Sequence, residues 1–169
     1  LLASSAVLLG TQLPLRTGCM YTPFTYTLYV KEGTVLYFSS FYPVILVKDT
    51  SACAQFFIQH FGFSSTFTSQ WYMSLENDGS ELALLSHNHE TIPDNFRNHT
   101  TGLILNFEVE DAELEFSRLV HNEHCVVKLP LKDEDFGQRH FILEGPEGIL
   151  IDVIQNIAPS STFIENYSS

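Results

Sequence analysis

Aromatic rings and carboxylates spaced two residues apart are the groups in this chain best placed to do chemistry. Tyr42, Val44 and Leu46 share one parity of an aliphatic run, with Ile45 and Val47 on the other; Ile104, Asn106 and Glu108 share one parity of a second run, and Leu150, Asp152 and Ile154 of a third. Residues two apart on a strand lie on the same face. Three strands would therefore present Tyr42, the pair Asn106 and Glu108, and Asp152 on common faces, and Trp71 opens a further aromatic run. Aromatic walls with a few carboxylates suit a flat or cationic organic compound, held by stacking, cation–π contact and charge pairing. Trp71 is equally a candidate for core packing.

The other polar clusters point to less. His87-Asn88-His89-Glu90 and His99 lie in a polar connection and lack the i, i+4 spacing of helical metal ligands, so solvation is the simpler reading. His121 and His124 fall near a helix end, where capping carbonyls is an ordinary role. Asp133-Glu134-Asp135 reads as a solvated loop between strands. No Ser or Cys stands in a nucleophile context, and no glycine-rich phosphate loop occurs. No catalytic residue, metal ligand or cofactor is therefore expected. Cys19, Cys53 and Cys125 contain no CxxC pair and read as buried free thiols of a reducing compartment. The sequons at Asn98 and Asn166 are short enough to arise by chance.

The elements that must position these residues come from one unit used twice. Val44-Ile45-Leu46-Val47 is β-branched and aliphatic, and Lys48-Asp49-Thr50-Ser51 then offers N-cap residues. Cys53, Phe56, Phe57 and His60 follow at helical spacing, and Gly62 supplies a left-handed stop. The stretch from Leu103 to Val127 repeats this switch of period. Placing Asp111 on Asp49 aligns Phe107 with Ile45, Leu119 with Phe57 and Cys125 with Phe63 without a gap, a repeat of about 62 residues. Ala112, Phe116, Leu119 and Val120 form the second helical stripe. Three short strands follow each helix: 63–69, 71–75 and 81–86 with a turn at Asn77-Asp78-Gly79, then 124–129, 138–143 and 149–154 with a turn at 145–148. The fold class is α+β, two βαβββ modules.

Residues 41–157 hold 18 Asp and Glu against 6 Lys and Arg, which is the whole of the chain's net charge of −12. Phosphate binding rests on clustered Lys and Arg, so a nucleic-acid partner is not expected; a cationic ligand is favoured, with solubility the alternative reading of the charge. LLASSAVLLG is apolar for ten residues, too short to span a bilayer, and the expectation is a cytoplasmic protein without a membrane partner. Residues 1–40 differ in character. Phe24, Tyr26, Leu28 and Val30 alternate before Lys31-Glu32-Gly33 and Thr34–Phe38, a hairpin pattern, and the autonomous domain is expected at 41–157 (modules 41–86 and 102–157), with 158–169 a tail.

PVILVKD leading into FFIQHFGF, together with FGQRHFILEGPEGILIDVIQ, resembles the vicinal oxygen chelate superfamily of glyoxalases, extradiol dioxygenases, and fosfomycin and bleomycin resistance proteins. The resemblance implies that the two modules curl a mixed sheet into cups around a cleft, and that the protein is a homodimer. The metal-ligand positions it carries over fall on Tyr42, Ala83, Ile104 and Asp152, of which Asp152 alone is a reliable donor. The acidic composition, the short first strand ending in Asp and the approach Gly137-Gln138-Arg139 are most similar to bleomycin resistance proteins. That likeness implies antibiotic-resistance-type sequestration without catalysis: a small, cationic or aromatic compound held at Tyr42, Trp71, Asn106, Glu108 and Asp152. The alternatives are a metal-dependent glyoxalase- or dioxygenase-type enzyme, and a dimerisation module without a ligand.

Overall fold

The structure is a computed structural model and describes residues 38–164; the hairpin pattern upstream of Phe38, Cys19 and Asn166 lie outside that range. Two four-stranded sheets form, one from each module. In the first, β1 (Val44–Val47), α1 (Thr50–Phe61), β2 (Ser64–Thr68), β3 (Tyr72–Asn77) and β4 (Ser80–Ser86) give the strand order β1-β4-β3-β2. In the second, β5 (Ile104–Glu108), α2 (Ala112–Phe116), β6 (Val127–Glu134), β7 (Gln138–Glu144) and β8 (Leu150–Asn156) give β5-β8-β7-β6. The β1–β4 and β5–β8 pairs are parallel and the others antiparallel. The α+β fold and the paired βαβββ modules read from the sequence are the observed ones.

The repeat is visible in matching local chemistry. Asp49 and Asp111 are both N-caps: Asp49 accepts from the Ala52 N–H, and Asp111 from those of Glu113 and Leu114. Gly62 ends α1 in the left-handed region at φ 68°, and at the equivalent position His124 adopts φ 59°. Phe57 and Leu119, also equivalent, are both buried. The helices nevertheless differ. After Phe116 the second opens into a π-helical turn, Ser117–Asn122, whereas α1 is regular for 12 residues.

Two strand boundaries correct the sequence reading. The strand expected at 124–129 runs instead from Val127 to Glu134, so Asp133 and Glu134 belong to a strand and not to a loop. Cross-strand pairing explains this: Arg139 lies opposite Asp133 and donates two hydrogen bonds to its carboxylate, while Glu134 pairs in register with Gln138. An acidic run can occupy an edge strand when its partner strand supplies cations.

Strand alternation sets the layers. Ile45 and Val47 of β1, and Leu105 and Phe107 of β5, turn toward one apolar core shared by both modules, which also includes Phe57, Leu84, Phe141 and Ile151. Val44, Ile104, Asn106 and Glu108 turn away from it and are exposed. Thr100 covers the β1 edge, its N–H donating to the Leu46 carbonyl and its hydroxyl accepting from the Leu46 N–H. Cys53 is buried and free, its thiol pushed up to about 12 by burial first and the Glu147 carboxylate second. No helix among the described residues is long and apolar enough to cross a membrane.

Candidate functional site

The face of the second sheet that carries Asn106 and Glu108 also carries Asp152. Asn106 and Asp152 are register partners on β5 and β8, and Glu108 follows two residues on. Because β8 is an inner strand, Asp152 is buried, and a buried carboxylate needs a partner. His140 supplies it, with Nδ1 2.8 Å from Asp152 Oδ1. The other ring nitrogen, Nε2, lies 3.4 Å from Glu134 Oε1, and Glu134 is further paired with the Lys132 ammonium. Lys132 first and His140 second hold the Glu134 carboxyl below the usual range. Both imidazole nitrogens can donate only when the ring is doubly protonated. The result is a connected row of polar side chains, Lys132, Glu134, His140, Asp152, in which the Asp152 carboxylate is already engaged.

The corresponding face of the first sheet is aromatic. Tyr42 hydrogen-bonds with Tyr72, and this pairing, followed by burial and the nearby Glu81 carboxylate, raises the Tyr42 phenol above its ordinary value. Tyr72 also meets Phe67 and Trp71, with ring centroids 6.0 and 5.7 Å apart. Trp71 stacks on His89 at 4.0 Å and an interplanar angle of 16° while remaining 41% exposed. His89 thus serves as a stacking partner from the connection between modules, and Trp71 sits on the surface and not in the core.

Where the sheets adjoin, a cavity of about 300 Å³ opens between the start of β4 and the strand β5. Glu81, Asn106 and Glu108 line it with Ser80, and Pro43, Phe63, Leu82, Leu105 and Phe107 supply apolar walls. Neither the Glu81 nor the Glu108 carboxylate makes an ion pair or a hydrogen bond to another described residue that would neutralise it. Of the residues singled out in the sequence, the cavity brings Asn106 and Glu108 together. Tyr42 stands one residue from its wall at Pro43, Asp152 lies behind Asn106 in the His140 pair, and Trp71 lies outside it. Glu81 and His140 were missed, and Glu134 was read as part of a solvated acidic loop. Glu81 shares the parity of Ala83 on β4, and His140 that of Ile142 on β7, so strand alternation was the available signal for both.

A family model described as the Glyoxalase/Bleomycin resistance protein/Dioxygenase superfamily matches residues 40–153. The chain belongs to this superfamily. Solved structures agree on the fold. A glyoxalase/bleomycin resistance protein/dioxygenase from Nocardioides is 16% identical, with a TM-score of 0.61 over 73% of this chain and 87% of that one. A family enzyme from Burkholderia phytofirmans PsJN is 21% identical, with a TM-score of 0.60 over 69% and 97%. A lactoylglutathione lyase from Agrobacterium tumefaciens is 15% identical, with a TM-score of 0.58 over 69% and 93%. No curated protein matches.

Metal-dependent members of the superfamily hold a divalent ion, and the residues here do not fit one. Ala83 is fully buried and has no donor, Ile104 has none, Tyr42 is paired with Tyr72, and Asp152 is tied to His140. A catalytic divalent site needs three or so converging protein ligands with an open position. Among the described residues no group of three or more His, Cys, Asp or Glu side chains is arranged to hold an ion.

Proposed function

We propose that this chain is a binding member of its superfamily, resembling bleomycin resistance proteins, that sequesters a cationic or aromatic small molecule without turning it over. The observation that carries this reading is the cavity of about 300 Å³ in which Glu81, Glu108 and Asn106 meet over apolar and aromatic walls. Two carboxylates facing one small space repel each other when it holds no counter-charge, and a bound cation removes that cost. The volume is at the lower end of ligand pockets, enough for a compact organic cation. The aromatic group of Tyr42, Tyr72, Phe67 and Trp71 extends the surface on which a flat ring can stack. A second copy of the chain facing these exposed rings would enlarge the site, the arrangement the likeness to bleomycin resistance proteins suggests.

Titration calorimetry of the full chain with proflavine, a planar cation, against uncharged acridone tests the proposal. Proflavine should bind and raise the melting temperature by mass action, and Glu81→Gln should weaken it while leaving the fold intact. Absence of binding by proflavine and by a panel of other cationic aromatic compounds would sink the sequestration reading. Stoichiometric divalent metal in protein purified without added ions would replace it with a metal-dependent one.

A further inference from the structure

Glu81 and Glu108 face the cavity between the sheets without a counter-charge because the basic side chains of the domain are engaged elsewhere. Arg97, Arg118, Lys128, Lys132 and Arg139 are each ion-paired with other carboxylates. Glu81 instead stands in register opposite Glu76 on β3, and like charges facing each other across an antiparallel pair repel. Glu76 accepts a 2.7 Å hydrogen bond from the Gly79 N–H, a neutral donor that leaves both charges in place. Glu108 enters the same cavity from the second module. A cation bound there meets carboxylates that no ion pair among the described residues neutralises.

The rings of the lining decide which kind of cation that is. A quaternary ammonium has no N–H to donate and depends on a box of aromatic faces. The aromatic residues of the lining are Phe63 and Phe107, and both are packed with the core. Phe63 meets Phe107 edge-to-face at 6.3 Å and 86°, and Phe57 at 6.0 Å and 77°, while Phe107 lies 4.5 Å from Phe61. With their faces turned to other phenylalanines, these rings do not form such a box. What the lining does offer is acceptors: the carboxylates of Glu81 and Glu108, the side-chain carbonyl of Asn106 and the Ser80 hydroxyl. A planar cation with N–H groups on several edges suits acceptors that converge from two modules, since each carboxylate can take two parallel N–H bonds. We propose, on the basis of the sequestration reading, that the ligand is held by an amidinium or guanidinium group that bridges Glu81 of the first module and Glu108 of the second.

The probes are benzamidine and phenyltrimethylammonium, which share a ring and a positive charge and differ in their N–H groups, each titrated calorimetrically into the full chain. Benzamidine should bind about tenfold more tightly or better. Glu81→Gln and Glu108→Gln should each remove most of that preference by weakening benzamidine more than the ammonium compound. The readout is the ratio of the two affinities, which a loss of folded protein alone would not change. Equal affinities, a preference for phenyltrimethylammonium, no binding of benzamidine, or a preference that survives either substitution overturns the proposal. Where proflavine still binds the parent chain, any of these results removes the amidinium bridge and leaves the sequestration reading standing. Failure of proflavine, benzamidine and the other cationic aromatics together removes both.

Discussion

Glu147, in the turn joining β7 to β8 of the second module, accepts a 2.6 Å hydrogen bond from the backbone N–H of Lys48 in the first. The same oxygen accepts from the Asp49 N–H at 3.0 Å, so one side chain satisfies two donors at the start of α1. Glu147 reaches them from a left-handed backbone at φ 55°, which costs a residue bearing a Cβ. Glu147→Ala should therefore lower stability by about 1–2 kcal/mol, the usual range for a lost cap. Glu147→Gly also loses the cap but relieves the backbone strain, and should be less destabilising by roughly 0.5–1 kcal/mol. Urea unfolding of the two variants checks the order; alanine proving as stable as glycine would remove strain from the account.

The equivalence of the helices is tested in the core. Phe57 is 0% and Leu119 1% exposed, at matching positions of the repeat. Phe57→Ala and Leu119→Ala should each cost about 2–5 kcal/mol, as large-to-small changes in close-packed layers do. A neutral result at Leu119 would mean that the π-helical turn relaxes to fill the space, which calorimetric unfolding of that variant would reveal.

What was legible in the sequence follows from the range of the interactions. Asp49 and Asp111 cap within three residues, and the stripes ending at Gly62 and His124 repeat at helical spacing, so both modules could be read locally. Glu147 with Lys48, and His140 with Asp152, join residues far apart in sequence or on different strands, and no local pattern announces them. The acidic run at Asp133-Glu134 misled for the same reason. Lys132 meets Glu134 from two residues away on the same strand, but Arg139, the counter-charge of Asp133, becomes a neighbour only once β6 and β7 pair. Asn106 and Glu108 were legible as face-sharing residues, but the cavity they line depends on Glu81 from the other module.

Acid should loosen the contact between the helices. The Glu123 carboxyl lies below its ordinary value of 4.5, held there by the hydrogen bond from His60 and, after a smaller opposing effect of burial, by Arg118. A carboxyl depressed in the folded state contributes stability that is full above its unfolded value and is lost as pH falls through its folded one. Glu134, lowered by Lys132 and His140, and Asp133, lowered by Arg139, act in the same direction. Stability should thus hold from neutral pH to about 5 and fall below about 4.5. Glu123→Gln should make that fall shallower, which urea midpoints measured down to pH 3 would show. An acid limb unchanged in Glu123→Gln would assign the loss to other carboxylates.

Charge and stacking at the cavity between the sheets separate by their response to salt. Glu108 has no ionic partner among the described residues, so Glu108→Gln should weaken proflavine and also flatten the dependence of its affinity on ionic strength, since screening acts on partly exposed charges over about 8 Å at physiological salt. Asp152→Asn should do less, because the charge it removes is already met by His140 at 2.8 Å. Tyr42→Ala and Trp71→Ala remove ring surface and leave the carboxylates in place, so they should weaken binding with the salt dependence intact. Titrations of these variants at low and high salt distinguish the contributions. Equal effects of Glu108→Gln and Asp152→Asn would mean that the ligand displaces Asp152 from His140, making the buried pair part of the binding surface; no effect of either would leave the acidity of the domain as a determinant of solubility alone.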